Sequence, residues 1–438
     1  MHLHRHFQNS VEWNFKLSIH DKDSFVNGAV RTQKEDASVS FVGFRDPKNR
    51  HTWYHYIICP SRFTRSNLNQ LIPGNQPEIV KLQEWAQSLY QFAQENGMKV
   101  SGSAGGLAAQ FLRDKRFYPH ARRKIPMATN ERARKALPGN HYEMRGELKR
   151  IYSAAIYFDQ ENAHHWAASN VELPDADWLY ARGHFHNDKI WCVPGNYDYE
   201  NTVRNEYGLL YLRLWVPRYL DGYLPEWAMK AGSHDAYIFT NEVPFLESLG
   251  VEIRGLYAAW TSPLKDNGLN RYSKWAIEQI KQHPHDKEWL KSLLLATYGV
   301  LASKPRRYEF GYYRAKGERK SFLVGPQELF IVRTNTKREN QLPVANVIHR
   351  GMIEAETRKL SVGLARQLES ENHTVLSIYA DGVIMKDDGE QLPLLLQPWR
   401  AKHRLQYLAF TDPTSFESDL LKRQPGRKRE LKDLVKIA

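Results

Sequence analysis

Apolar residues along this chain recur with two periods, and the switches between them mark out the elements. Val39 to Phe44 and Thr52 to Cys59 predict strands, with Arg45 to Asn49 as the turn between them. Glu78 to Asn96 predicts an amphipathic helix, because Ile79, Leu82, Trp85, Leu89 and Phe92 share a face and Gly97 ends it. A short helix over Leu107 to Leu112 follows SGSAGG at 101–106, which lacks the Lys-Ser/Thr of a phosphate loop. Ile151 to Phe158 is an apolar, aromatic strand ending on Asp159, and the QENAHHWAAS after it has helical composition. Leu209 to Val216, Ala236 to Thr240 and Val251 to Trp260 predict further strands, and Asn241 to Leu249 a short helix closed by Gly250. Asn270 to Gln282 and Lys287 to Ala302 form a helical hairpin around Pro284, with Asp286 as N-cap of the second helix and Pro305 beyond its end. That second helix buries Leu290, Leu293, Leu294, Thr297 and Leu301, while Lys291, Leu295 and Tyr298 make a neighbouring stripe. Strands with basic turns follow over Tyr308 to Arg333, and Asn346 to Leu368 is a long helix. Thr374 to Lys386 reads as two strands joined at Ala380-Asp381-Gly382, since Asp-Gly between β-branched and aromatic runs is a strong hairpin signal.

Composition narrows the class. A chain of 438 residues exceeds one core and divides into two to four domains. Its apolar fraction of 42% argues against wholesale disorder. No run of about 18 apolar residues exists and the N-terminus lacks an apolar signal core, so a soluble, cytoplasmic protein with no membrane partner is expected. Cys59 and Cys192 exclude a disulfide framework and a cysteine zinc cluster. His2, His4 and His6 are expected on a frayed, solvated terminus rather than at a metal. A net charge of +13, from 62 basic against 49 acidic residues, favours a polyanionic partner. The cations concentrate between Arg113 and Arg150, interleaved with Phe117, Tyr118 and Tyr142. Such a stretch is either a solvated connector or a groove that tracks a phosphate backbone and stacks bases.

Taken alone, the Asp381 turn is a plain hairpin. Together with the strand to Asp159 it means more. Two strands that each deliver a carboxylate to one sheet edge make a two-metal site for phosphoryl transfer.

The order of the pieces then resembles family B DNA polymerases, of the phage-type and protein-primed branch. Asp159-Gln160-Glu161-Asn162-Ala163-His164-His165 is similar to the first polymerase motif, Asp-x-x-Ser-Leu-Tyr-Pro. Lys291, Tyr298 and Gly299 keep the spacing of the second, Lys-x-x-x-Asn-Ser-x-Tyr-Gly. Tyr379-Ala380-Asp381-Gly382-Val383 resembles the third, Tyr-x-Asp-Thr-Asp. The likeness extends over about residues 130–430 and includes Lys274-Trp275, the segment 237–253 and the helix carrying Arg358. Leu137-Pro138-Gly139-Asn140 is a faint echo of the family's Tyr-x-Gly-Gly element.

The resemblance implies an α+β, right-hand polymerase fold: an antiparallel-sheet palm, helical-hairpin fingers, a small thumb and an N-terminal α/β domain. The implied parts are an N-terminal domain over 1–130, palm over 131–262 and 305–388, fingers over 263–304 and thumb over 389–438. No Asp-x-Glu pair follows a strand in the N-terminal block, so no proofreading exonuclease site is expected there. The implied activity is template-directed DNA synthesis in bacteriophage-type replication. Two Mg2+ or Mn2+ ions would be held by Asp159, Asp381 and the carbonyl of Gln160. Lys291, Lys274, Tyr298 and His164 would meet the nucleotide. Arg122, Arg123, Lys124, Arg132, Arg134, Lys135, Lys402 and Arg404 would meet template and primer. Partners would be DNA template-primer, dNTPs and a priming protein or primase.

Two departures qualify this. Val383 stands where the family places its second metal-binding Asp, so either Asp381 takes that role or the protein is a polymerase-like nucleic-acid binder without catalysis; the first is expected. His164 replaces the tyrosine that excludes ribonucleotides, which leaves sugar discrimination open.

Overall fold

The structure is a computed structural model. It describes as strands residues 2–9, 11–18, 29–31, 38–45 and 53–58, then residues 92–98 apart from 94, 104–119, 123–137 and 142–183. It further describes 185–186, 189–190, 203–217, 231–303, 308–311, 319–324, 327–333, 343–379, 381–389, 395–412 and 415–418. Most of the helix predicted over Glu78 to Asn96, and both cysteines, lie outside these residues. The chain divides into two compact units, Met1–Ala121 with Trp275–Ala345 and Arg122–Lys274 with Asn346–Ala438.

The helices used below are α1 (Ala104–Phe111), α2 (Met127–Ala136), α3 (Ala163–Asn170), α4 (Val243–Ser248), α5 (Gly268–Gln282), α6 (Lys287–Leu301) and α7 (Val347–Ser370). The labelled strands are β1 (Tyr142–Met144), β2 (Ala155–Gln160), β3 (Tyr180–Gly183), β4 (Tyr207–Val216) and β5 (Gly232–Phe239). They continue with β6 (Glu252–Ser262), β7 (Val375–Tyr379), β8 (Gly382–Lys386) and β9 (Trp399–Leu405).

The first unit opens with an antiparallel sheet in the order His2–Asn9, Val11–Ser18, Ser38–Arg45, Ala29–Arg31, with Trp53–Ile58 also paired to Ser38–Arg45. Contrary to the expectation above, the N-terminal histidines therefore do not lie on a frayed end. Their backbone pairs from His2↔Ser18 to Asn9↔Val11. The reason was in the partner strand, where Val11, Trp13, Phe15 and Leu17 alternate strictly with polar residues. Further along, α6 packs on α1, burying Leu290, Leu293, Leu294 and Leu301. Trp275 of α5 sits among Phe92, Phe111 and Phe117 with ring centroids 6.2, 5.2 and 5.3 Å away.

The second unit is built on two sheets that share α7. One has the order β9-β2-β8-β7-β1 and the other β3-β6-β4-β5. In β2 every residue is buried, because successive side chains enter different cores. Ile156 and Phe158 join Leu364, Ala365 and Leu368 of α7. Ala155 and Tyr157 join Leu376, Leu408, Phe410 and Phe416 on the opposite face. A strand covered on both faces needs no polar alternation, which is why it reads as one apolar run. The second sheet buries Leu210, Leu212, Leu214, Ala236 and Ile238 against α4 and Val362 of α7.

The start of α7 is fixed by polar contacts. Asn346 accepts from the His349 amide at 3.1 Å, and Asn130 of α2 accepts from the Val347 amide at 2.8 Å. These satisfy amides that a helix N-terminus leaves without intrahelical partners. Midway along, buried Arg358 pairs with buried Glu242.

Candidate active site

The two acids predicted to work together arise at one end of the β2–β8 strand pair. β7 and β8 close on the pair Tyr379↔Gly382, so the connection is the two residues Ala380 and Asp381. Gly382 stands opposite Asp159 and Val383 opposite Phe158. The Gln160 amide donates to the Asp381 carbonyl at 2.8 Å, extending the ladder by one bond and putting the Asp381 backbone beside the end of β2.

This register accounts for Val383. The residue is fully buried and packs with Ile156, Phe158, Leu364 and Leu368, on the face opposite to Tyr157. Asp159 lies on the Tyr157 face, as the hydrogen bond from the Tyr157 hydroxyl to its Oδ1 at 3.0 Å shows. With a two-residue turn, a carboxylate at 383 would enter an apolar core. Strand alternation does not dictate the direction of the Asp381 side chain, because it lies in the turn. Gly382 is required for a different reason: a Cβ there would collide with the Tyr157 ring. Its absence lets the phenol reach Asp159.

Asp159 is 8% exposed, and its second oxygen accepts from Lys402 Nζ at 2.8 Å. Arg400 lies 4.0 Å from that oxygen and also pairs with Glu161 at 3.2 Å. Both cations come from β9. Residues 389–438 were expected as a thumb, yet β9 is the edge strand of the Asp159 sheet, pairing Trp399↔Gln160 and Arg400↔Asp159. Arg404, also on β9, pairs with Asp387 at 3.6 Å. Gln160 turns its side chain to α7, where it donates to Thr357 O at 3.0 Å and Ser361 Oγ at 2.9 Å.

The other predicted residues are more dispersed. His164 is half-buried at the start of α3, while the adjacent His165 is buried with its ring 6.2 Å from Tyr272, so the two histidines diverge. Lys274 is on α5; Lys291, half-buried, and Tyr298, fully buried, are on α6 in the first unit. Arg122 is outside the described residues. Arg123 donates its amide to Asp177, and Lys124 is exposed. On α2, Arg132 lies 5.1 Å from the Trp260 ring and Lys135 5.5 Å from Tyr237, while Arg134 pairs with Glu131 at 2.6 Å. The α2 cations are thus partly engaged by aromatic rings of the second sheet.

Sequence reasoning missed Tyr157 and Gly382, and it did not connect Lys402, assigned to nucleic acid, with Asp159. The alternation of Trp399, Ala401, His403 and Leu405 was an available strand signal.

Among the described residues, no group of three or more His, Cys, Asp or Glu side chains is placed to hold a metal ion. The donors this strand end does bring together are the Asp159 carboxylate, a hard oxygen ligand of the kind Mg2+ takes, and the Asp381 backbone held beside it by the Gln160 amide. The Asp159 carboxylate binds the Lys402 ammonium, so its surroundings accept a cation, and its hard oxygens are of a type that suits a divalent ion.

No protein-family model matches the chain, and no curated protein is detectably similar to it. Solved structures are. The ternary complex of Phi29 DNA polymerase with primer-template DNA and incoming nucleotide substrates aligns with a TM-score of 0.53 at 13% identity, covering 75% of this chain and 57% of that one. Phi29 DNA polymerase complexed with single-stranded DNA aligns with a TM-score of 0.51 at 13% identity, over 75% and 56% of the two chains. The match thus spans little more than half of the Phi29 enzyme. Over three-quarters of its length, this mixed helix-and-sheet chain shares a polymerase-like fold.

Proposed function

We propose that the protein is a template-directed DNA polymerase that transfers nucleotides from dNTPs to a primer 3′-hydroxyl. The observation that carries this reading is the meeting of Asp159 and the Asp381 turn at one end of the β2–β8 pair, joined by the Gln160–Asp381 backbone bond. It is supported by the shared fold with Phi29 DNA polymerase and by the +13 charge.

Asp159, Asp381 and the Gln160 carbonyl would hold Mg2+ or Mn2+, two ions in all, which when bound would activate the primer hydroxyl and neutralise the leaving pyrophosphate. The chain's own contributions are binding and orientation. Tyr157 fixes the Asp159 carboxylate from one side, and the Gln160 side chain locks the end of β2 to α7. We assign Lys274 and Lys291 to the β- and γ-phosphates as point charges. Exposed Lys124 and the partly open α2 cations are assigned to the template-primer backbone, since sequence is read by base pairing and protein contacts go to phosphates.

Primer extension with Mg2+ or Mn2+ tests the reading, with Asp159→Asn and Asp381→Asn beside wild type. Both substitutions are expected to abolish most incorporation while leaving DNA binding intact. If Asp381→Asn extends primers like wild type, Asp381 is only a turn residue. A second reading is favoured by the engagement of both Asp159 oxygens: a polymerase-like fold that binds nucleic acid without catalysis. Tight primer-template binding with no incorporation by wild type, under any divalent cation, would establish it instead.

A further inference from the structure

The register of β9 against β2 slips by one residue between Ala401 and His403, so Lys402 is the extra residue of a β-bulge. The slip brings three side chains to the Asp159 face. Arg400 stands opposite Asp159, His403 opposite Tyr157 with its ring stacked 6.3 Å away, and Lys402 between them reaches the carboxylate. Bulges beside active sites commonly re-aim a side chain in this way. Lys402 meets Asp159 as a point charge and lies 5.7 Å from the Tyr157 ring centroid, on a side chain 37% exposed, so its ammonium can swing away without unmaking the sheet.

Resting on the reading of Asp159 as a metal ligand, we infer that Lys402 is a resident counter-ion. It occupies the cation position on Asp159 in the substrate-free protein and yields that position to the divalent ion when a nucleic-acid phosphate offers the ammonium another anion. Metal loading is thereby coupled to substrate arrival. The physical basis is competition: two cations on one partly buried carboxylate repel each other, and each weakens the other's binding. The exchange moves the Lys402 side chain, while Arg400, 4.0 Å from the same oxygen, keeps its pairing with Glu161.

The test measures Mn2+ binding to the full chain by electron paramagnetic resonance, without nucleic acid, for wild type, Lys402→Met, Lys402→Arg and Asp159→Asn. Lys402→Met is expected to bind Mn2+ about tenfold or more tightly than wild type, as removal of an adjacent charge predicts. Lys402→Arg, which keeps the charge, is expected to stay near wild type, and Asp159→Asn to lose the site. Lys402→Gln replaces the methionine variant if that one folds poorly by circular dichroism. Mn2+ binding by Lys402→Met no tighter than wild type, with Asp159→Asn still losing the ion, overturns the role of Lys402 alone. Equal tightening by Lys402→Arg does the same, because charge would then not be the cause. Undiminished binding by Asp159→Asn overturns both this inference and the assignment of Asp159 on which it rests.

Discussion

Each large sheet of the second unit carries an aspartate held between a tyrosine hydroxyl and a basic side chain, and the two trios differ in every respect that matters for chemistry. Asp235 takes Arg213 in a fork, Nε to Oδ1 at 2.9 Å and the second nitrogen to Oδ2 at 3.1 Å, with the Tyr257 hydroxyl 2.9 Å from Oδ1. Arg213 and Asp235 stand directly opposite in the β4–β5 register, so the pair is a product of regular strand geometry. The hydrogen bond from Arg213, helped by that from Tyr257, holds the Asp235 carboxyl below its ordinary value. Asp159, near the end of its strand, instead takes one ammonium from a bulged residue of the neighbouring strand, with a second acidic residue in the adjacent turn. A planar fork locks an acid in place, whereas a point charge on a flexible stem can be exchanged. The first trio ties two strands together; the second, on the function proposed above, keeps a carboxylate ready for another cation.

The sharpest way to break this comparison is to neutralise both acids in turn. Asp159→Asn is expected to lower primer extension by about two to three orders of magnitude, the scale on which single groups that stabilise a charged transition state act. Asp235→Asn is expected to leave extension within about twofold, since an exposed ion pair contributes only about 0.2–1 kcal/mol. Equal losses in the two variants, at equal stability, would mean that the Asp159 trio is structural too.

The elements that create this contrast were unevenly legible. Local pattern sufficed for the strand to Asp159, the Asp381 hairpin and α7, because burial on one or both faces and turn chemistry are written in consecutive residues. Val383 read as a lost ligand because sequence spacing alone does not reveal register; only the Tyr379↔Gly382 closure shows that position 383 faces α7. Residues 399–405 read as a basic tail because an edge strand keeps charges on its open side, and its pairing with β2 joins residues some 240 apart in the chain. The Lys402 bulge has no local signature at all. Similarly, Arg132 and Lys135 looked like free cations, and the rings they cover come from strands more than 100 residues away.

Val383→Asp introduces the aspartate of the Tyr-x-Asp-Thr-Asp motif that this stretch resembles, yet here it would bury a carboxylate among Ile156, Phe158 and Leu364. An uncompensated buried charge costs about 3–5 kcal/mol, so a large drop in the denaturation midpoint is expected with no gain in Mn2+ binding. Unchanged stability together with tighter Mn2+ binding would show that β8 pairs one residue out of the register described, and the assignment of Asp381 would move to 383.

The smallest effect concerns the locked trio, and it appears only at high pH. Burial of the Tyr257 phenol, reinforced by its hydrogen bond to Asp235 and the charge of that carboxylate, raises its ionisation from 10.0 to about 12. In the unfolded chain a tyrosine ionises near its ordinary value of about 10. A group whose pKa is raised by folding contributes its stability fully below the unfolded value and loses it as pH climbs toward the folded one. The contribution of Tyr257 is therefore complete at neutral pH and disappears between about 10 and about 12. Asp235→Asn removes both the acceptor charge and the anion that oppose ionisation, so the tyrosinate absorbance attributable to Tyr257, identified by difference from Tyr257→Phe, should emerge at lower pH in that variant. If its emergence is unaltered, Asp235 does not set the proton affinity of Tyr257, and the trio in the second sheet is a packing coincidence rather than a locked electrostatic unit.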